Sequence, residues 1–105
     1  MKPIDQEIFD LRKRKEMLVA FERLMLNSDF QKVIKDYYLR KHPLDLVKLK
    51  GQVPLEESLN LSIDRQLDAV ALFGMYLDNL SFELPDIDLK IEEAMTRRDE
   101  LTRNA

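Results

Sequence analysis

The sequence predicts an all-α protein, either a small helical bundle or a long helical hairpin of about four to five helices, that forms oligomers. Apolar residues recur at intervals of three, four and seven along almost the whole chain, which is the spacing of amphipathic helices. No run of β-branched residues alternates with polar ones as a strand would require. Two glycines and four prolines divide the chain into segments of helical length.

The first predicted helix runs from about Ile4 to Leu26. Its apolar residues lie three, four or seven positions apart and form one stripe, which comprises Ile4, Ile8, Leu11, Leu18, Phe21 and Met25. Lys15 and Glu22 interrupt this stripe. The N-terminal half of the apolar face is therefore thin.

Residues 27–51, NSDFQKVIKDYYLRKHPLDLVKLKG, contain two predicted helices. Ser28 and Gln31 have the spacing of a capping box, which predicts a helix start at the serine. Pro43 is expected to end or kink this helix, because the residue before a proline is pushed out of helical geometry. A short helix then begins at Pro43 and ends at Gly51. The face expected to be buried comprises Phe30, Val33, Ile34 and Tyr37, with Tyr38 beside it.

Pro54 opens the next segment, which is the most hydrophobic of the chain and is predicted to form the central helix. Its apolar stripe comprises Leu59, Ile63, Leu67, Val70, Gly74, Leu77 and Leu84, widened by Phe73, Met75 and Tyr76. Gly74 is expected at a close contact between two helices. Pro85 ends the pattern, and a last amphipathic helix follows with Ile87, Ile91, Met95 or Ala94, Arg98 and Leu101 on its narrow stripe. We expect one domain over residues 1–105, with a flexible charged tail at about residues 97–105.

Composition excludes several classes of chemistry. The chain has no cysteine, so it can form neither disulfides nor thiolate metal sites, and it has no cysteine nucleophile. Charges fall where a signal peptide needs its apolar region, and no apolar run approaches the ~20 residues of a membrane-spanning helix. We therefore expect a soluble, unprocessed protein that does not enter a membrane.

Charge is distributed unevenly along the chain. Residues 1–50 contain 12 Lys and Arg and 8 Asp and Glu, a net charge of +4, whereas residues 51–105 contain 5 and 12, a net charge of −7. This asymmetry is compatible with head-to-tail contact between subunits, and equally with charges that cancel within a helical hairpin. The second interpretation is favoured.

Catalytic, metal and cofactor sites are not expected. The single histidine, His42, follows Arg40 and Lys41, whose charges oppose cation binding. Adjacent carboxylates on a helix point roughly 100° apart and do not converge. No nucleophile elbow and no glycine-rich phosphate loop occurs. Nucleic-acid binding is not expected either, because acidic residues interleave the basic ones and the pI is near 5.2.

The two thin stripes at the ends of the chain are the predicted protein-interaction sites. Narrow apolar seams commonly pair with a helix of another chain. The candidate contact residues are Ile4, Ile8, Leu11, Ile87, Ile91, Met95 and Leu101.

A pattern over about residues 5–82 resembles a family of small bacteriophage proteins. A charged N-terminal helix precedes the signature L-x-N-x-D-F-x-x-V-I-x-x-x-Y, matched here by Leu26 (or equally Met25), Asp29, Phe30, Val33, Ile34 and Tyr38. The further matches are Leu46, Val47, Leu49 and Lys50, then Ile63, Asp64, Ala69, Tyr76 and Leu77. The segment RKHP departs from the family pattern, which commonly has an acidic E-x-x-R at this place.

The resemblance implies a non-enzymatic structural or assembly protein, associated with the virion, head or neck, and located in the virion or the host cytoplasm. Its implied partners are further copies of itself and phage capsid, portal or neck proteins. It supplies no catalytic residue. The alternative is a small acidic effector that inhibits a host polymerase, nuclease or defence factor, with Asp86, Asp88, Glu92 and Glu93 in the contact.

Overall fold

The computed structural model describes residues 2–52 and 56–104, and its helices account for nearly all of them. In chain order they are α1 (Pro3–Leu26), α2 (Ser28–Phe30), a π-helix (Gln31–Lys41), α3 (His42–Lys50), α4 (Glu57–Glu83), a 3₁₀ turn (Leu84–Asp86) and α5 (Ile87–Arg103). The described ranges contain no strand, which confirms the all-α class. Among the described residues, only α1, α4 and α5 are α-helices of more than ten residues, fewer than the four to five predicted.

The chain divides into two compact units. The first comprises residues 1–23 and 79–105, and the second comprises residues 24–78. Helices α1 and α4 each contribute residues to both units. The single domain expected over residues 1–105 stays a prediction, and each unit is described by itself.

In the first unit, α1 and α5 run antiparallel. Glu7 of α1 pairs with Arg97 of α5, and further along α1 Lys15 pairs with Asp88. As the residue number rises along one helix, the partner's number falls along the other. The buried apolar side chains of this unit are Ile8, Leu18, Phe21, Leu80, Ile87 and Ala94. All of them except Leu80 fall on the stripes that the sequence predicts for α1 and α5.

The turn into α5 occurs where the sequence predicts it. Pro85 lies in the 3₁₀ turn, where its missing N–H costs no helical hydrogen bond, and α5 begins at Ile87. Ala94 rather than Met95 occupies the inner position one heptad after Ile87. Helix α5 extends to Arg103, so much of the predicted tail is helical; its flexibility stays a prediction.

In the second unit, α4 buries one face. Ile63, Val70 and Leu77 recur every seven residues and are buried, and Leu46 of α3 is buried as well. An ion pair between Lys50 and Asp64 joins α3 to α4. Other residues of the predicted α4 stripe are not inside: Leu59, Met75 and Tyr76 are exposed. The predicted stripe was too wide, because a 27-residue helix covered on one side buries only its heptad line.

The N-cap of the second helix is Asn27, not Ser28 as the capping-box spacing predicts. Asn27 has extended backbone geometry, and its side-chain Oδ1 accepts a hydrogen bond of 2.9 Å from the N–H of Phe30. Gln31 donates its side-chain amide to the C=O of Met25 rather than returning to the cap. Asparagine caps a helix as well as serine does, so the cap moves one residue towards the N-terminus.

Replacing Asn27 by alanine is expected to lower the free energy of unfolding by about 1 kcal/mol, because the N–H of Phe30 loses its acceptor. Urea denaturation followed by circular dichroism measures the loss. The Ser28→Ala variant is the matched control, and it should change stability much less. An equal or larger effect at Ser28 would show that serine is the cap after all.

Pro43 does not interrupt the helical run, but α3 begins at His42 with Pro43 in its first turn, as predicted; the kink expected as the alternative stays a prediction. In an α-helix its ring would clash with the C=O of Leu39, four residues earlier. Here the preceding segment is π-helical, and the N–H of His42 bonds to the C=O of Tyr37, five residues earlier. This wider turn gives the proline ring room, and α3 continues with Pro43 in its first turn. Residues 28–50 therefore form one uninterrupted helical run.

The π-helical turn also changes which tyrosine lies inside. Tyr37 was predicted to be buried, but it is exposed, whereas Tyr38 is half-buried and meets Phe73 of α4 edge-on at 5.8 Å between ring centroids. The prediction assumed an α-helical period. A helix whose hydrogen bonds span five residues moves the inner face to Ile34 and Tyr38.

The glycines and prolines of the second unit break its helices at only some of the predicted positions. Gly51 ends α3, as predicted, and its N–H bonds to the C=O of Val47 at 3.1 Å. Gly74 was expected at a close helix contact, but a Cβ there would lie 3.9 Å from the side chain of Leu39, an ordinary van der Waals distance. The predicted helix start at Pro54 lies outside the described residues.

Candidate functional site

The predicted contact residues lie along the α1–α5 hairpin of the first unit. Ile8 and Ile87 are buried within the unit, so neither side chain is accessible to another molecule. The half-buried members of the set are Ile4, Leu11, Ile91 and Met95. Leu101 lies on the heptad line of Ile87 and Ala94, yet it is 61% exposed. The contact role of this set stays a prediction, and Leu101 is its most accessible member.

Ion pairs join α1 to α5 and to the end of α4 in this unit. Arg97 donates to both carboxylate oxygens of Glu7, at 2.6 and 3.3 Å, and this contact raises the pKa of Arg97. Arg14 donates Nε and Nη2 to the two oxygens of Glu83, at 2.8 and 2.6 Å. The effect of each of these exposed ion pairs on stability is small.

The bidentate contact with Arg14 lowers the pKa of Glu83 below its ordinary value of 4.5, although partial burial opposes the shift. Because the folded pKa is lowered, the pair stabilises the folded chain above the unfolded pKa. That stabilisation is lost as the pH falls through the folded value.

Glu83→Gln is therefore expected to be less stable than the wild type at pH 7, and the difference should vanish as the pH falls below the lowered pKa. Denaturant unfolding measured between neutral and acidic pH tests this. The control is Glu92→Gln, which removes an exposed carboxylate that has no ion pair with any described residue. A pH-independent difference at Glu83 would contradict the ion-pair explanation.

A second apolar surface lies on the outer face of α4, away from Ile63 and Val70. Leu72, Met75 and Tyr76 are neighbours at i, i+3 and i+4, and each is more than half exposed. Met75 and Tyr76 were predicted to widen the buried stripe of α4, and Leu72 was not among the predicted stripe residues. The sequence does contain a second a and d pattern on α4, with Leu61, Leu72 and Met75, but Arg65 and Asp68 interrupt it.

An aromatic cluster surrounds His42 in the second unit. Its imidazole stacks on Tyr38 at 5.7 Å and on Tyr37 at 6.2 Å between ring centroids, and Lys41 lies over the ring of Tyr37. The histidine therefore packs at the junction of the π-helix and α3. Arg40 and Lys41 beside it are exposed.

No family model, curated protein or solved structure matches this chain. Within residues 2–52 and 56–104, no three His, Asp or Glu side chains converge as a metal site requires. None of the described helices combines the length and the apolar character needed to cross a bilayer.

The acidic residues considered for an effector are all on the surface. Asp86, Asp88, Glu92 and Glu93 are exposed in the 3₁₀ turn and the first half of α5. Asp88 is already paired with Lys15 of α1, and Arg97 lies near Glu93. Lys15 and Arg97 of the same chain therefore offset part of the negative charge of this surface.

Proposed function

We propose that this chain is a non-enzymatic bacteriophage structural or assembly protein, associated with the virion, head or neck, that acts through helix-mediated contacts with other proteins. The carrying observation is the exposure of neighbouring apolar side chains on a helix face, most clearly Leu72 and Met75 on α4. Scattered exposed apolar residues are ordinary, whereas contiguous exposed apolar side chains are typical of interaction surfaces. The resemblance of residues 5–82 to phage proteins supports the phage assignment.

The proposed partners are further copies of the chain and phage capsid, portal or neck proteins. Leu101 on α5 and the exposed face of α4 are two separate surfaces that can serve them. In the assembled form we infer the oligomeric bundle or hairpin of four to five helices, since exposed helix faces become buried when helices of several chains pack together. The chain then resides in the virion or in the host cytoplasm.

Quantitative mass spectrometry tests this role on gradient-purified mature particles and on assembly intermediates from the same infection. A structural protein should be present in a copy number that matches the symmetry of the ring or shell it contacts. A factor that leaves during maturation should be present in the intermediates alone. Both outcomes support the proposal.

Absence from both fractions, with abundant protein in infected cells, would overturn the proposal and favour the acidic effector. A pull-down from the infected lysate then identifies the host partner. Binding through Asp86, Glu92 and their neighbours should weaken strongly as the salt concentration rises, because exposed charges are screened.

A further inference from the structure

We propose that the outer face of α4 is a self-association interface on which a second copy of this chain lies antiparallel to the first. The inference deepens the proposed function, on which it rests, by naming one partner. The interface is formed by five residues, hereafter the α4 seam: Leu61, Arg65, Asp68, Leu72 and Met75.

The α4 seam has the spacing of a coiled-coil contact. Its residues are alternately four and three positions apart, the a and d pattern of a heptad repeat. All five are exposed, and the apolar members are 50% exposed at Leu61, 66% at Leu72 and 59% at Met75. A second heptad line on the same helix, through Ile63 and Val70, already fills the core. The α4 seam is therefore a contact line that the described part of the chain does not cover.

Charge determines how a second copy fits. Arg65 and Asp68 make no ion pair or side-chain hydrogen bond with any described residue. In an antiparallel pair, a step of four residues forward along one helix corresponds to a step of four residues back along the other. If Leu61 faces Leu72 of the second copy, Arg65 therefore faces Asp68 of that copy. The two-fold axis repeats each contact, so two ion pairs are flanked by two leucine contacts. The seam is complementary to itself.

The surface beside Leu61 has a hole for the incoming leucine. A groove of about 410 Å³ runs along α4 and is lined by Ser58, Leu61, Ser62, Arg65, Gln66 and Ala69. Ser58, Leu61, Ser62 and Arg65 stand at i, i+3, i+4 and i+7, the four positions that surround a knob in knobs-into-holes packing. The centre of this hole faces Leu72 of the second copy in the register that pairs the charges. The small serines leave space for its side chain.

A parallel arrangement is much less favourable. It would place Arg65 opposite Arg65 and Asp68 opposite Asp68 in the two copies, and opposed like charges cost free energy. The antiparallel register instead overlaps α4 from Ser58 to Met75, a length of about 27 Å at 1.5 Å per residue. This overlap lies entirely within the described part of α4.

Sedimentation velocity of the purified full-length chain over a concentration series is the first test. The wild type should form a dimer, and Leu72→Asp should remove it while circular dichroism shows unchanged helicity. The matched control is Leu44→Asp, at a leucine of similar exposure on α3, which should leave the dimer intact. A wild type that stays monomeric throughout, or a dimer that survives Leu72→Asp, would overturn the proposal.

Charge exchange tests the register without disturbing the core. Arg65→Asp and Asp68→Arg alone each create two like-charge contacts, so each should raise the dimer dissociation constant by about tenfold or more. Mixing the two variants should restore association. In the mixed dimer the aspartate introduced in one variant faces the arginine introduced in the other, and the unchanged Asp68 faces the unchanged Arg65. Interactions within one helix cannot be rescued by mixing.

Failure of the mixture to associate, with both variants folded, contradicts the antiparallel register. These measurements use the purified chain alone, so their outcome is independent of its presence in phage particles. A chain that dimerises but is absent from particles and intermediates would contradict the proposed function but not the proposed contact through the α4 seam. A chain that is present in particles but does not dimerise would contradict only the seam.

Discussion

Leu18→Ala is expected to lower the free energy of unfolding by about 2–5 kcal/mol. Leu18 is fully buried, with an exposed fraction of 0%. Alanine leaves a cavity among rigidly packed neighbours, so both transfer free energy and dispersion contacts are lost. A domain with a typical stability of about 5–15 kcal/mol would lose a large fraction of it.

Urea denaturation measured by circular dichroism gives this difference. Leu89→Ala is the matched control, since it makes the same change at a leucine that is 54% exposed on α5. The control should alter stability by about 0.5 kcal/mol or less. Equal losses at the two positions would mean that α1 does not pack as described, and the hairpin of the first unit would have to be abandoned.

Ala94→Leu is expected to destabilise the chain by about 1–3 kcal/mol through overpacking. Ala94 is fully buried on the inner side of α5, and the contact of Arg12 with the sulfur of Met95 at 3.8 Å places α1 directly alongside. A leucine has no free volume there, so the two helices must separate or the side chain must adopt a strained rotamer. Helix propensity cannot explain a loss, because alanine and leucine are both strong helix formers.

Ala20→Leu supplies the comparison for this variant. Ala20 is exposed on α1 in the same unit, so the added side chain meets solvent and should change stability little. Thermal unfolding of the three proteins at equal concentration measures both effects. If Ala94→Leu were as stable as the wild type, the close approach of α1 and α5 would be excluded.

Local pattern predicted the helices well. The bounds expected for the first helix agree with Pro3–Leu26, and the breaks at Gly51 and Pro85 occur where the sequence places them. These features depend on residues within a turn or two of each other. Helical spacing, caps and backbone breakers are local properties, so a single sequence carries them.

Errors arose where two local signals competed. Asn27 and Ser28 are both good caps, and only the backbone geometry shows which one accepts the N–H of Phe30. Pro43 is a helix breaker in an α-helical frame, and the preceding π-helical turn removes the clash. The same turn exchanges Tyr37 for Tyr38 on the inner face. Period analysis with a fixed α-helical spacing cannot detect such a change.

The candidate surfaces depended more heavily on tertiary structure. The seam predicted at the two ends of the chain includes Ile8 and Ile87, and the α1–α5 hairpin covers both. The a and d pattern that includes Leu61 and Leu72 was visible in the sequence, and so was the heptad line through Ile63 and Val70. When a helix has two apolar lines, the sequence does not show which one is buried. That becomes clear only when the element that packs against the helix is known.

The sequence by itself determined the all-α class, the approximate extent of the long helices and the absence of cysteine chemistry. These follow from composition and from spacings shorter than two helical turns. The tertiary structure decided which apolar lines are buried and which carboxylates are paired. These choices depend on contacts between residues that are far apart in the chain, such as the ion pair of Arg14 and Glu83. No local sequence pattern contains that information.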